Sequence, residues 1–173
     1  MLFADLVGFT SYAEDNSADE VMATVNRYLG RFSEVIGTYG GVVDKYIGDN
    51  VMAVFGAPVL DPFGPSKAVN CAQHLLKTVR ETNAQTGLNF DLRVGVHHGN
   101  AVAGHVGSDE RVNYTVIGDT VNLAQRLQTE ASPGTALVSE AVRKRCDNAK
   151  DFVARGEVTV RGRSRGVPVY ELS

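Results

Sequence analysis

The stretch VVDKYIGDNVMAVF, residues 42–55, decides the fold because it contains two runs rich in β-branched and aromatic residues. Val42–Ile47 and Val51–Phe55 are separated by Gly48-Asp49-Asn50, a combination typical of a tight polar turn. The stretch therefore predicts a β-hairpin with Asp49 at its tip.

A second carboxylate occupies a similar position near the start of the chain. Residues 1–5, MLFAD, form a short apolar strand candidate that ends on Asp5, and a turn through Gly8 follows. If this strand lies beside the hairpin, Asp5 and Asp49 share one edge of a sheet. Two hard oxygen ligands suit magnesium or manganese. The alternative is that Asp49 only caps its turn, as aspartate often does.

The rest of the chain mixes helices with further hairpins. Ser17 and Glu20 form a capping box, and apolar residues then recur at helical spacing until Gly40-Gly41. Leu92–His98 and Ala101–Val106 predict a second hairpin around Gly99-Asn100, and a helix is expected over about 120–130. This order predicts an α+β fold of the ferredoxin-like type, with a mainly antiparallel sheet flanked by helices.

Length and composition limit the class of protein. The 173 residues fit one domain, 1–173, and the chain opens directly on a strand, as if it were a piece of a longer multidomain protein. A net charge of −3 without a basic stripe argues against nucleic acid as a partner. No apolar run approaches the roughly 18 residues of a membrane span, so no membrane is expected for this fragment. Cys71 and Cys146 show no metal or disulfide spacing, which favours a reducing, cytoplasmic location.

Three separated segments resemble the signature segments of class III nucleotidyl cyclases, and they occur in the order found in that family. They are residues 3–10 (FADLVGFT), 45–49 (KYIGD) and 114–126 (YTVIGDTVNLAQR). The similarity extends from residue 1 to the tail, so it covers essentially the whole chain. The resemblance implies a class III nucleotidyl cyclase fold and cyclisation of a nucleoside triphosphate with release of pyrophosphate.

The resemblance also implies where the metal and phosphates bind. Asp5, Asp49 and the backbone carbonyl of Leu6 become ligands of two divalent cations, Mg²⁺ or Mn²⁺. The turn that contains Gly8, Phe9 and Thr10 lies under the triphosphate, where its amides can cradle phosphate oxygens.

Three further residues are assigned to the substrate by the same resemblance. Asn122 orients the ribose, and Arg126 stabilises charge that develops on the phosphoryl oxygens. They are four apart in a helix and so share a face, although this pattern also fits an exposed amide and a surface arginine. Arg161 matches a position that grips the triphosphate; alternatively, Arg161, Arg163 and Arg165 are a solvated strand edge.

Lys45 and Thr115 match the positions that face the purine in this family. A lysine can donate to N1 of adenine, and a threonine hydroxyl can accept from the exocyclic amine, whereas guanine reverses both polarities. ATP is therefore expected as substrate and cyclic AMP as product. Thr115 departs from the aspartate of the animal membrane enzymes and resembles a subgroup with threonine at this position. Many members of that subgroup respond to bicarbonate, so bicarbonate activation is a further expectation.

In the family the active site spans two subunits. One chain supplies the metal carboxylates, and the other supplies the base-selecting pair together with Asn122 and Arg126. Because this sequence has competent residues at all these positions, we expect a homodimer with two composite sites. A guanylate cyclase, which Lys45 disfavours, and a non-catalytic nucleotide-binding or dimerisation module are the alternatives.

Overall fold

Nine strands lie in the part of the chain that this computed structural model describes, residues 1–108, 111–146, 152–159 and 166–172. They are β1 (Leu2–Val7), β2 (Val42–Ile47), β3 (Asn50–Val54), β4 (Asp91–Val96), β5 (Val102–Ser108), β6 (Arg111–Ile117), β7 (Thr135–Ser139), β8 (Val153–Val158) and β9 (Val167–Leu172). Seven form one sheet in the order β2-β3-β1-β4-β7-β9-β8, and β5 pairs with β6 in a separate ribbon. Among the described strands only β4 and β7 pair in parallel, so the predicted mainly antiparallel α+β fold is confirmed.

Five helices accompany these strands in the same described ranges. They are α1 (Phe9–Asp15), α2 (Ala18–Thr38), α3 (Gly64–Thr86), α4 (Asp119–Glu130) and α5 (Glu140–Arg143). The predicted capping box is confirmed, because Ser17 Oγ accepts from the Glu20 amide while the Glu20 carboxylate accepts from the Ser17 amide. None of the described helices combines the length and the apolar character that crossing a bilayer requires.

The two faces of the sheet have different roles, because successive side chains of a strand point to opposite sides. On β1, Leu2, Ala4 and Leu6 are buried in the main core against α1, α2 and α3. Phe3 lies on the other face and packs with Ala124 of α4 in a smaller cluster. Asp5 is two residues after Phe3 and points to the same side of β1, so it lies on the α4 face of the sheet.

The predicted hairpin of residues 42–55 is confirmed, whereas the predicted hairpin of residues 92–106 is wrong. β4 pairs with β1 on one side and with β7 on the other, so it has no free edge for β5. β5 instead pairs with β6. The Gly99-Asn100 segment is a connection between two sheets, and Thr120 Oγ1 donates to the carbonyl of Asn100 at 2.6 Å.

Gly95 lets α4 approach the sheet. A Cβ at this β4 position would overlap the backbone of α4 at Ala124 and Gln128. Because the obstructing atoms belong to the backbone, no side chain can rotate away to make room. The close contact holds α4 against the centre of the sheet.

Gly95→Ala should therefore lower the free energy of unfolding by about 1–3 kcal/mol, the usual range for overpacking. Thermal and urea unfolding measure the change. Gly30→Ala is the matched control, because Gly30 is exposed within α2 and a Cβ there meets nothing within 4 Å. The control should raise stability by about 0.5–1 kcal/mol through helix propensity. Equal stability of Gly95→Ala and the parent chain would contradict the close packing.

Candidate active site

The sheet brings the two predicted metal carboxylates together. In the β1–β3 pairing Asp5 is opposite Asn50, and Asp49 is the next residue, in the two-residue turn that joins β2 to β3. β1 pairs with β3 only as far as Asp5, whereas its pairing with β4 continues through Leu6 and Val7. The Leu6 side chain is buried in the core. The two carboxylates thus lie at the end of the sheet where β3 begins, and β1 extends beyond the first residue of β3.

The surroundings of this pair oppose its ionisation. Partial burial raises the pKa of Asp5, and the nearby charge of Asp49 raises it further. A hydrogen bond from Asn50 and the charge of Arg93 act in the opposite direction on the pKa of Asp5. Partial burial also raises the pKa of Asp49. Two adjacent carboxylates that ionise at a cost are a donor set that a divalent cation would stabilise.

Three polar residues beside the pair were missed by the sequence analysis. Arg93 of β4 is opposite Asp5 in the β1–β4 pairing. Asn50 donates from Nδ2 to Gln128 Oε1 of α4 at 3.3 Å, while Asn50 Oδ1 and Arg93 Nε are buried without a partner among the described residues. Strand pairing places Arg93 and Asn50 beside Asp5, and the packing of α4 on the sheet places Gln128 there. No local sequence signal reveals either contact.

A glycine turn follows the first carboxylate. Gly8 has a φ of 91°, a left-handed conformation that favours glycine, and it is the residue immediately before α1. The ring of Phe9 is buried against Phe90, with centroids 5.8 Å apart. Gly8 and Thr10 are exposed. Phe9 can therefore meet a ligand only through its backbone, as the predicted phosphate cradle requires.

The two predicted base-selecting residues converge on a third residue. Thr115 of β6 is buried, and its hydroxyl donates to Asp44 Oδ2 at 2.7 Å. Lys45 Nζ lies 3.3 Å from the same oxygen. The sequence analysis placed Lys45 and Thr115 at one subsite, and the structure brings them to one carboxylate of β2. The sequence analysis did not identify Asp44 as part of this subsite.

Asn122 and Arg126 lie on the exposed face of α4, as their spacing predicts. Arg126 makes an ion pair with Glu130 at 2.7 Å. Within the described residues, no hydrogen bond or ion pair joins either side chain to Asp5 or Asp49. Arg161 lies outside the described residues.

Two contacting hairpins both expose large apolar side chains. On β2 and on the β5–β6 ribbon these are Val42, Tyr46, Ile47, Val102, Val106, Tyr114 and Ile117. The bond between Thr115 and Asp44 joins the two hairpins. Because strand neighbours such as Tyr46 and Ile47 point to opposite sides, these side chains are distributed over both sides of the joined hairpins. We call this set the apolar hairpin surface. An exposed apolar surface of this kind is typical of a contact site.

A mainly antiparallel α+β sheet with paired carboxylates and a glycine turn defines a nucleotidyl cyclase type of domain. The chain belongs to the adenylate and guanylate cyclase catalytic domain family, whose model matches residues 1–172. Adenylate cyclase 1 of Rhizobium meliloti is 37% identical over 177 residues, which cover 99% of this chain.

Solved structures agree with this family assignment. The adenylyl cyclase CyaB from P. aeruginosa is 31% identical with a TM-score of 0.89, and the match covers 99% of this chain and 91% of that one. The catalytic core of a rhodopsin-guanylyl cyclase with converted specificity, in complex with ATPαS, is 25% identical with a TM-score of 0.91, covering 99% of this chain and 92% of that one.

The chain spans only part of the curated relative. The match covers 27% of the length of the Rhizobium meliloti enzyme. The family and the fold are established for this domain alone.

Asp49→Asn tests the repulsion between the two carboxylates. It should lower the pKa of Asp5 and raise metal-free stability at pH 7 by about 0.5 kcal/mol, the scale of a solvent-screened pair. A raised carboxyl pKa means that stability is highest below the unfolded pKa and falls as pH rises through the folded pKa. The gain should therefore disappear as pH falls through the carboxyl range. Unfolding in chelator at several pH values measures it, and a pH-independent difference would contradict the repulsion.

Proposed function

We propose that this domain is an adenylate cyclase that converts ATP to cyclic AMP and pyrophosphate at the interface of a homodimer. The observation that carries the proposal is the placement of Asp5 beside Asp49 at one sheet edge, with a glycine turn directly after Asp5. Family membership supports cyclisation as the reaction.

Asp5 and Asp49 would hold the divalent cations, because two ionised oxygen donors at one edge match the ligands that Mg²⁺ and Mn²⁺ prefer. When bound, the cations lower the pKa of the ribose 3′-hydroxyl and neutralise phosphate charge. The backbone carbonyl of Leu6 is the third proposed ligand. The amides of Gly8, Phe9 and Thr10 bind phosphate oxygens in this proposal.

The remaining residues position the substrate for in-line attack. The 3′-oxygen forms a bond to the α-phosphorus, and the bond from that phosphorus to the bridging oxygen of the β-phosphate breaks, which releases pyrophosphate. Asn122 orients the ribose. Arg126 donates to the α-phosphoryl oxygens as their charge develops, and Arg161 is proposed to bind the outer phosphates.

A second copy of this chain is the partner that completes the site. Asn122 and Arg126 have no described bond to the carboxylates of their own chain, and both are exposed. The apolar hairpin surface supports a contact that covers it, since a neighbouring protomer removes those side chains from water.

Product identification tests the proposed reaction directly. Incubation of the chain with Mn²⁺ and either ATP or GTP, followed by chromatography against standards, should yield mainly cyclic AMP. Cyclic GMP as the main product would indicate a guanylate cyclase. Binding of nucleotide without any cyclic product would indicate a non-catalytic nucleotide module.

Arg126→Ala should lower turnover by about 100-fold or more, because a preorganised donor contributes roughly 3 kcal/mol to transition-state stabilisation. Folding should change little, since the exposed ion pair with Glu130 contributes only about 0.5 kcal/mol. Initial rates and thermal unfolding measure the two effects. Glu130→Ala is the matched control: it breaks the same ion pair but should keep turnover.

Mixing two inactive variants tests the shared site. Asp5→Ala and Arg126→Ala should each be impaired, whereas their heterodimer retains one intact composite site and should recover part of the activity. Unrecovered activity in a mixture whose heterodimers are demonstrated by cross-linking would contradict the shared site.

A further inference from the structure

The proposed base-reading pair leaves one question open, because a threonine hydroxyl has one hydrogen to donate and two lone pairs that accept. Alone, Thr115 suits the amine of adenine as an acceptor and the O6 of guanine as a donor. The identity of this residue therefore does not decide between the two purines. Its hydrogen-bond partner does.

The partner of Thr115 is a carboxylate. The hydroxyl lies 2.7 Å from Asp44 Oδ2, and an ionised carboxylate can only accept. The hydrogen of Thr115 is therefore used within the protein. The two lone pairs of the hydroxyl oxygen remain for a ligand, so Thr115 can act toward it only as an acceptor.

The same oxygen also anchors Lys45. Its ammonium lies 3.3 Å from Asp44 Oδ2, and it keeps further N–H donors for a ligand. Asp44 thus presents an acceptor, Thr115, beside a donor, Lys45. The Watson–Crick edge of adenine offers the complement, an amine donor beside the N1 acceptor. The edge of guanine offers O6 beside N1–H and mismatches both.

A β-bulge gives Asp44 this position. The β2–β3 register passes from Val43 opposite Ala53 directly to Lys45 opposite Met52, so Asp44 is the extra residue. Bulges re-aim side chains and are frequent near active sites. Only 5% of the Asp44 side chain is exposed, compared with 43% of Lys45. Asp44 is therefore turned inward toward β6, while Lys45 remains accessible.

We propose that Asp44 is a positioning residue that sets purine specificity by fixing Thr115 as an acceptor and holding Lys45 beside it as a donor. The inference rests on the proposed cyclase function and names the residue that selects its substrate. Asp44 does not touch the base and acts through its two neighbours.

Asp44→Ala removes the acceptor and frees the Thr115 hydroxyl to rotate, so the variant should tolerate guanine. We expect the ratio of kcat/KM for ATP to kcat/KM for GTP to fall about 10- to 100-fold. Because a ratio of kcat/KM values is independent of the fraction of folded enzyme, a loss of folded protein does not move it. Asp44→Leu, which fills a similar volume without an acceptor, should give the same result if Asp44→Ala folds poorly.

Two controls separate the hydrogen bond from other effects. Asp44→Asn should keep most of the discrimination, because facing two donors its amide turns the oxygen toward them. Glu81→Ala removes an exposed carboxylate from α3, where Glu81 pairs with Lys77 at 3.5 Å. It matches the change in net charge and should leave the ratio unchanged.

A second readout needs no turnover. Titration calorimetry with the non-reactive analogues 3′-deoxy-ATP and 3′-deoxy-GTP, in Mn²⁺, should show the same loss of preference in Asp44→Ala and Asp44→Leu. An unchanged preference in both folded variants overturns the role of Asp44 alone. A parent chain that makes no cyclic product but prefers 3′-deoxy-ATP through Asp44 overturns only the proposed reaction. A parent chain that prefers the guanine nucleotide overturns both.

Discussion

Two negative charges held side by side are the constraint on which the candidate site depends. Pairing of β1 with β3 sets Asp5 next to the turn that contains Asp49, where burial and mutual repulsion raise the pKa of Asp5. The pairing cannot slip by one residue, because Leu2, Ala4 and Leu6 must all stay in the core. Burial of the apolar side of β1 thus fixes the position of the Asp5 carboxylate on the other side, next to Asp49.

The division between the two sheet faces explains how the fold tolerates that repulsion. The main core lies between the sheet and α1, α2 and α3, and it contains most of the buried apolar side chains. Smaller clusters hold α4 on the opposite face, where Gly95 permits close approach. Burial of apolar side chains on the first face offsets the cost of polar groups that are partly buried on the second. Stability and the proposed chemistry are therefore carried by different faces.

The sequence predicts what local physics determines. The capping box at Ser17, the periodicity of α2 and the polar turn at Gly48-Asp49 each act over a few residues, and the structure confirms all three. The proposed hairpin of 92–106 failed because its turn signal was genuine but β4 is enclosed by β1 and β7. Arg93 and Gln128 were missed for the same reason. Neighbours across a sheet or beneath a helix depend on contacts between distant segments, which spacing does not reveal.

The base-reading subsite shows why residue identity is weaker evidence for specificity than for family. The family includes adenylate and guanylate cyclases, so the fold itself is compatible with either purine. A lysine has a fixed polarity, whereas a hydroxyl takes the polarity that its partner leaves to it. Here the partner is a nearly buried carboxylate at a bulge, outside the positions that the family resemblance assigned to the base. The same threonine beside a hydrogen-bond donor would present a hydrogen instead. In the proposed function, specificity is therefore a property of the hydrogen-bond network around the reading residues, in which the bulge of β2 positions Asp44.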